Sequence, residues 1–174
     1  MKITLAMVAS ADGRTTKGNT PGSAFASPQD QQHFSELIHT HTLIIMGRTT
    51  YEAANYHMKH TPGRMRIVMT RHPEKFDHEK VPGMLEFTSE TPGQLIKRLS
   101  RDYENALLVS GAELNGLFFK EKLVDELILT LEPKLFGKGN GIIGFEESDI
   151  DLKLVSVEKM NPQGTLLLTY QVIK

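Results

Sequence analysis

No cysteine occurs among the 174 residues, which excludes disulfides, iron–sulfur clusters and zinc–thiolate sites. A charge block is also missing. The 20 basic and 21 acidic residues are interspersed to a formal net charge of −1, which argues against nucleic acid or a membrane surface as the main partner. No apolar run approaches the ~20 residues of a transmembrane helix. The start, Met1-Lys2-Ile3-Thr4-Leu5-Ala6, has neither the h-region nor the cleavage site of a signal peptide, so a cytoplasmic location is expected. There is no G-x-S-x-G elbow, no Walker A loop and no zinc-deaminase H-x-E with P-C-x-x-C. Histidines occur as His39-x-His41 and His57-x-x-His60, but no acidic third ligand stands at a telling spacing. Surface histidines are expected there, with no metal site.

What is present reads as one domain spanning 1–174. Ile3 to Ala9 is a first buried strand, and Ser10 to Ser27 a long polar loop of the kind that forms lids. Ser27-Pro28 supplies an N-cap and a first-turn proline for a helix whose apolar stripe is Phe34, Leu37, Ile38 and His41. Strands are expected at Leu43–Met46, Arg66–Thr70, Met84–Phe87, Ala106–Ser110 and Asp125–Glu132. Further helices start near Thr49, at Thr91-Pro92 with Leu95, Ile96, Leu99 and Tyr103 on one face, and around Leu114 to Leu123. Leu152–Met160 and Thr165–Ile173 form a hairpin about the type I turn Asn161-Pro162-Gln163-Gly164. The fold class is therefore α/β, a mixed and mostly parallel sheet with helices on both faces and a C-terminal antiparallel hairpin.

Chemistry concentrates where strands end. In Leu43-Ile44-Ile45-Met46-Gly47-Arg48-Thr49-Thr50-Tyr51-Glu52 an apolar strand breaks at glycine and a polar helix begins. Free N–H groups at such a helix start suit phosphate, and the Arg48 guanidinium pairs with it. Ser110-Gly111-Ala112 repeats the corner, and Thr70-Arg71 ends a third strand. Neighbouring corners at one carboxyl edge would hold a doubly phosphorylated ligand. A literal G-x-G-x-x-G at Gly139–Gly144 follows no strand–glycine corner and precedes the acidic Glu146-Glu147-Ser148-Asp149, so a flexible loop is expected rather than a dinucleotide fingerprint. Asp30, in a first helical turn, is a candidate to bind an aminopyrimidine edge or pass a proton, and Asp12 a second polar group beside it.

Taken in order, Ser10-Ala11-Asp12-Gly13, Met46–Glu52, Leu108-Val109-Ser110-Gly111-Ala112 and Leu123–Leu127 leading to Pro133–Gly137 resemble the dihydrofolate reductase superfamily. Within it the chain is most similar to the riboflavin-biosynthesis reductase domain, the C-terminal half of the bacterial bifunctional deaminase-reductase. The resemblance implies a reductase passing hydride from NADPH to a pyrimidine or pteridine, and a homodimer. It assigns cofactor phosphates to Gly47, Arg48, Thr49 and Thr50, with Arg48 on the 2′-phosphate. Thr70 and Arg71 would flank the adenosine, and Gly111, Ala112, Glu113 and Leu114 the pyrophosphate. Strand Ala6–Ala9, down to Ala9, would border the nicotinamide. Asp30 falls in the Pro28-x-Asp30-x-x-x-Phe34 frame of the pterin-binding acid.

Departures from the pattern bear on the substrate. Ser110 stands where riboflavin reductases often carry Glu, and the aspartate-proline segment with its phosphate-binding arginine is replaced by Tyr51-Glu52-Ala53-Ala54-Asn55-Tyr56. With the deaminase half lacking, a stand-alone reductase is expected. Dihydrofolate reductase activity and a non-catalytic nucleotide sensor are the alternatives.

Overall fold

A computed structural model describes residues 1–20, 22–54, 58–144 and 149–174. His57, Asn55, Tyr56 and the stretch Glu146–Ser148 lie outside the described residues. In chain order the elements are β1 (Lys2–Ser10), α1 (Pro28–Thr40), β2 (Leu43–Gly47), α2 (Arg48–Ala54), β3 (Met65–Met69), β4 (Leu85–Thr88), α3 (Pro92–Leu99), β5 (Asn105–Leu108), α4 (Ala112–Lys120), β6 (Glu126–Glu132), β7 (Leu152–Lys159) and β8 (Leu166–Val172). A 3₁₀ helix, Pro73–Glu79, precedes β4.

The strands form one sheet of order β4-β3-β2-β5-β1-β6-β8-β7. β1 to β6 pair in parallel, while β8 runs antiparallel to β6 and to β7. Parallel pairs buried on both faces explain the near-continuous apolar runs of β1, β2 and β3. After β1 the chain steps outward through β2, β3 and β4, then returns to insert β5 between β2 and β1. This reversal sets the carboxyl ends of β2 and β5 side by side.

Period-2 alternation divides the core. Ile3, Leu5, Ala9, Ile45, Ile67, Leu108 and Phe118 pack on one face with α3 and α4. Ala6, Ile44, Met46, Val68 and Leu107 face the other side, where Tyr51 seals α2. Tyr51 stacks edge-on to Phe87 at 5.1 Å and donates its hydroxyl to Glu79 at 2.6 Å. The tyrosine of the Met46–Glu52 segment is thus the anchor of its helix.

Several sequence expectations shift. β5 stops at Leu108 and leaves Ser110 in the turn, while α3 stops at Leu99 and leaves Tyr103 beyond it. α4 ends at Lys120, short of Leu123. In α1 the only buried residue is Asp30; Phe34 is 40% exposed and His41 is the C-cap. Leu37 and Ile38 pack against the core face of Ala6, Ile44 and Met46, and together with Phe34 they also wall a cleft. The hairpin turn is as read, with Gly164 N donating to Asn161 O at 3.2 Å and Gly164 at φ +100°.

Candidate functional site

A cleft of 2180 Å³ opens between α1 and the carboxyl edge of the sheet. That exceeds the ~300–1,000 Å³ of a single small-molecule site and leaves room for a dinucleotide beside a second ligand. Of the residues singled out from sequence, Asp30, Gly47, Arg48, Thr49, Thr50, Thr70, Arg71, Gly111, Ala112, Glu113 and Leu114 all line it. Parallel adjacency of β2 and β5 brings the two glycine corners together, which the sequence could suggest but not establish.

The corners are built differently. α4 has Gly111 at its N-cap, which offers no capping side chain, so first-turn N–H groups stay available. A side chain at Gly111 would meet nothing within 4 Å, so this corner is open space. Gly47 is tighter, with Leu114 Cδ2 at 3.6 Å from where a Cβ would stand. Arg48 pairs with Glu52 at 2.5 Å on an exposed face of α2. A pair so exposed is worth under ~1 kcal/mol, and an incoming phosphate can compete for the guanidinium.

Asp30 sits at the opposite wall. Ser27 Oγ caps the helix by accepting from Asp30 N at 3.3 Å. Ser27 N in turn donates to Glu132 Oε1 at 2.6 Å, and Thr165 Oγ1 donates to Glu132 Oε2 at 2.9 Å. Asn161 ties Thr165 to Gln29 with bonds of 2.8 and 3.2 Å. The C-terminal hairpin therefore fixes the start of α1. Burial pushes the Asp30 carboxyl up, a Thr130 hydrogen bond opposes this, and the Glu132 charge adds to the rise. A carboxyl whose pKa is raised at the wall of a cleft is better suited to proton donation than an ordinary one. Beside it, His33 Nε2 is buried without a partner.

Two sequence candidates are placed elsewhere. Asp12 does not line the cleft. Its carboxylate accepts from Ser10 Oγ at 2.5 Å, Gly137 N at 2.7 Å and Phe136 N at 3.1 Å. Those bonds, led by the Ser10 hydroxyl, lower its pKa to about 2, so it is a brace between loops and not a second acid at the pocket. Ala9 is fully buried on the α3/α4 face, because alternation turns it away from Ala6 and Val8, which do line the cleft.

The Gly139–Gly144 loop is neither a fingerprint nor free. Thr15 N donates to Asn140 O at 2.8 Å, Gly18 N to Lys138 O at 2.9 Å, and Asn140 N to Thr16 Oγ1 at 2.9 Å. Buried Asn115 on α4 donates to Ile142 O at 2.7 Å and accepts from Ser110 Oγ at 2.5 Å. Gly139, at φ +149°, passes so close to Thr16 O that a Cβ would stand 2.0 Å from it. Both loops line the cleft, as do Thr130, Arg64 and Arg66. The loop residues Thr15, Thr16 and Asn140 were missed because their partners lie about 125 positions away. The pairing of a long polar loop with a glycine-rich one was the only signal.

Comparisons with known proteins agree with this architecture. A family model described as RibD C-terminal domain matches residues 1–166. An uncharacterized Bacillus subtilis (strain 168) protein, YwjB, is 30% identical over 109 residues, which is 61% of this chain and 60% of that protein. A Corynebacterium diphtheriae pyrimidine reductase-like protein superposes with TM-score 0.81 at 16% identity, covering 99% of this chain and 92% of its own. Acinetobacter baumannii RibD gives TM-score 0.80 at 18% identity, covering 99% of this chain but 58% of its own. A Thermotoga maritima diaminohydroxyphosphoribosylaminopyrimidine deaminase/5-amino-6-(5-phosphoribosylamino)uracil reductase gives 0.76 at 16%, covering 99% and 56%.

Proposed function

From the premise that the chain belongs to the RibD C-terminal domain family, we propose that it is an NADPH-dependent reductase of a pyrimidine or pteridine, such as a riboflavin-pathway ribosylaminopyrimidinone phosphate. The observation that carries this reading is the single cleft with paired glycine corners on one wall and a buried, pKa-raised carboxyl on the other. The donor set fits a phosphorylated cofactor: an uncapped α4 N-terminus at Gly111, the Arg48 guanidinium, and Thr70-Arg71 at the rim. When bound, NADPH supplies the hydride.

The chain's own part is placement and proton supply. Ala6 and Val8 floor the cleft and Phe34 with Leu37 walls it, an apolar lining that orients a flat ring and limits water. Asp30, held by the Ser27 cap and the Glu132–Thr165 network, has its carboxyl pKa raised by burial and is placed to supply a proton, and Thr130 hydrogen-bonds that group from β6.

NADPH oxidation, followed with cofactor in excess over enzyme across a panel of pyrimidines and pterins, tests the proposal. Substrate-dependent oxidation of one pyrimidine is the expected result. Oxidation confined to dihydrofolate would reassign the substrate, and NADPH binding with no turnover on the panel would favour the sensor.

A further inference from the structure

Among the described residues, one buried charge has no counter-charge. Arg66 on β3 is 6% exposed, and its Nη1 is buried with no hydrogen-bond partner. Among the described residues no carboxylate pairs with it, and the charge beside it, Arg64, has the same sign. Burial and that neighbour both push the Arg66 pKa down. An unpaired buried guanidinium costs a fold stability, and a ligand that brings the missing charge removes the cost.

Its surroundings point to the same ligand. Arg64 donates through Nε to His41 O at 3.2 Å and through Nη2 to His39 O at 3.4 Å, which pins it to the C-terminal end of α1. Arg64, Arg66, Lys59 and Thr61 line the cleft that Asp30 enters from the other end of the helix. Glu52, the acid of α2, is taken by Arg48. Positions 30 and 39 of α1 are ~13 Å apart along its axis.

We propose that Arg66, supported by Arg64, is an oxyanion subsite that takes the phosphate or carboxylate of a substrate whose ring lies toward Asp30. The ring's position rests on the reductase reading; the anion site does not. A guanidinium grips either oxyanion through paired N–H groups, where an ammonium would not fix orientation. The subsite answers the missing phosphate-binding arginine after α2 with a different residue on a different element.

Two measurements test it. In the first, inorganic phosphate is titrated into the full chain without cofactor, and melting temperature is read for wild type, Arg48→Ala and Arg66→Met. Phosphate is expected to stabilise wild type more than Arg66→Met, whose remaining shift comes from the corners at Arg48 and Gly111, while Arg48→Ala keeps the part that depends on Arg66. Without phosphate, Arg66→Met is expected to melt no lower than wild type, since a buried unpaired charge is gone. A wild type unmoved by phosphate, or an Arg66→Met shifted as far as wild type, overturns the proposal. Arg66→Gln repeats the comparison with a different packing.

In the second, KM is compared for a phosphorylated ribosylaminopyrimidinone and its dephosphorylated form. Arg66→Met is expected to raise KM about 10- to 100-fold for the first alone, with kcat kept. Equal effects on both forms overturn it. If nothing on the panel is reduced, the reductase reading falls, while the anion site still stands or falls on the melting data.

Discussion

Arg48 and Asp30 show how the same kind of side chain can be legible in one respect and opaque in another. That Arg48 follows a strand-ending glycine is plain from sequence; that it spends its guanidinium on Glu52 at 2.5 Å is not. Arg48→Ala is expected to leave urea stability within about 1 kcal/mol of wild type while raising the NADPH Kd about tenfold or more and eroding preference over NADH. Isothermal titration with both cofactors checks it. Asp30 was legible as an acid in a first turn, and only the Thr130–Glu132 surroundings show that it is buried and raised. Its folded pKa lies above its unfolded one, so the ionised form costs stability at neutral pH, and the cost is relieved as pH falls through the raised value. Turnover should therefore decline as pH rises through that value. Asp30→Asn should cut kcat, flatten the pH–rate profile and leave the protein at least as stable at pH 7; a pH series of both variants reads all three. Asp12, the same residue type one loop earlier, turned out a brace, because its partners Phe136 and Gly137 were invisible in the local sequence.

At the scale of elements, local capping signals were reliable and long-range ones absent. Ser27 and Thr91 do cap their helices, the latter in a full capping box with Gln94. Helix ends drifted, because the final turns of α3 and α4 are set by packing and not by a terminating proline or glycine. The stripe on α1 was read correctly as apolar; Leu37 and Ile38 pack against the Ala6–Met46 side of the core while Phe34 is left exposed, since periodicity identifies a face but not what covers it. The loop clamp makes a sharp prediction. Asn115→Ala removes the tie to Ile142 O and leaves Ser110 unpaired, which should cost about 1–3 kcal/mol in chemical denaturation. Gly139→Ala forces a Cβ against Thr16 O and should speed amide exchange at Thr15 and Asn140 as the two loops part. Wild-type exchange rates at both amides would show that the clamp does not depend on that glycine.

For the whole molecule, the sheet order matters more than any motif. Inserting β5 between β2 and β1 is what gathers glycine corners from positions 47 and 111 into one cleft. Among the described residues no helix is long and apolar enough to cross a membrane. At the far edge, β7 leaves Leu154, Val155 and Val157 exposed on a strand paired on one side only. Edges of that kind are normally covered. A second copy of the chain seated on this edge would cover it. Light scattering is expected to give twice the chain mass, and the double change Val155→Lys with Val157→Lys to give the single mass with Tyr absorbance and melting intact; a wild-type monomer would remove the idea.

By itself the sequence determined the fold class, the helix starts, the strand-ending glycines and the absence of cysteine chemistry. All of these depend on neighbours within a few residues, where propensity, capping and alternation act. Tertiary structure alone decided that Gly47 and Gly111 share a rim, that Asp30 is buried while Asp12 braces loops, that Gly139–Gly144 is clamped, and that Arg66 Nη1 is buried without a hydrogen-bond partner among the described residues. Each of those facts turns on groups far apart in the chain. Burial and partnership are properties of the packed sheet, and no local pattern encodes them.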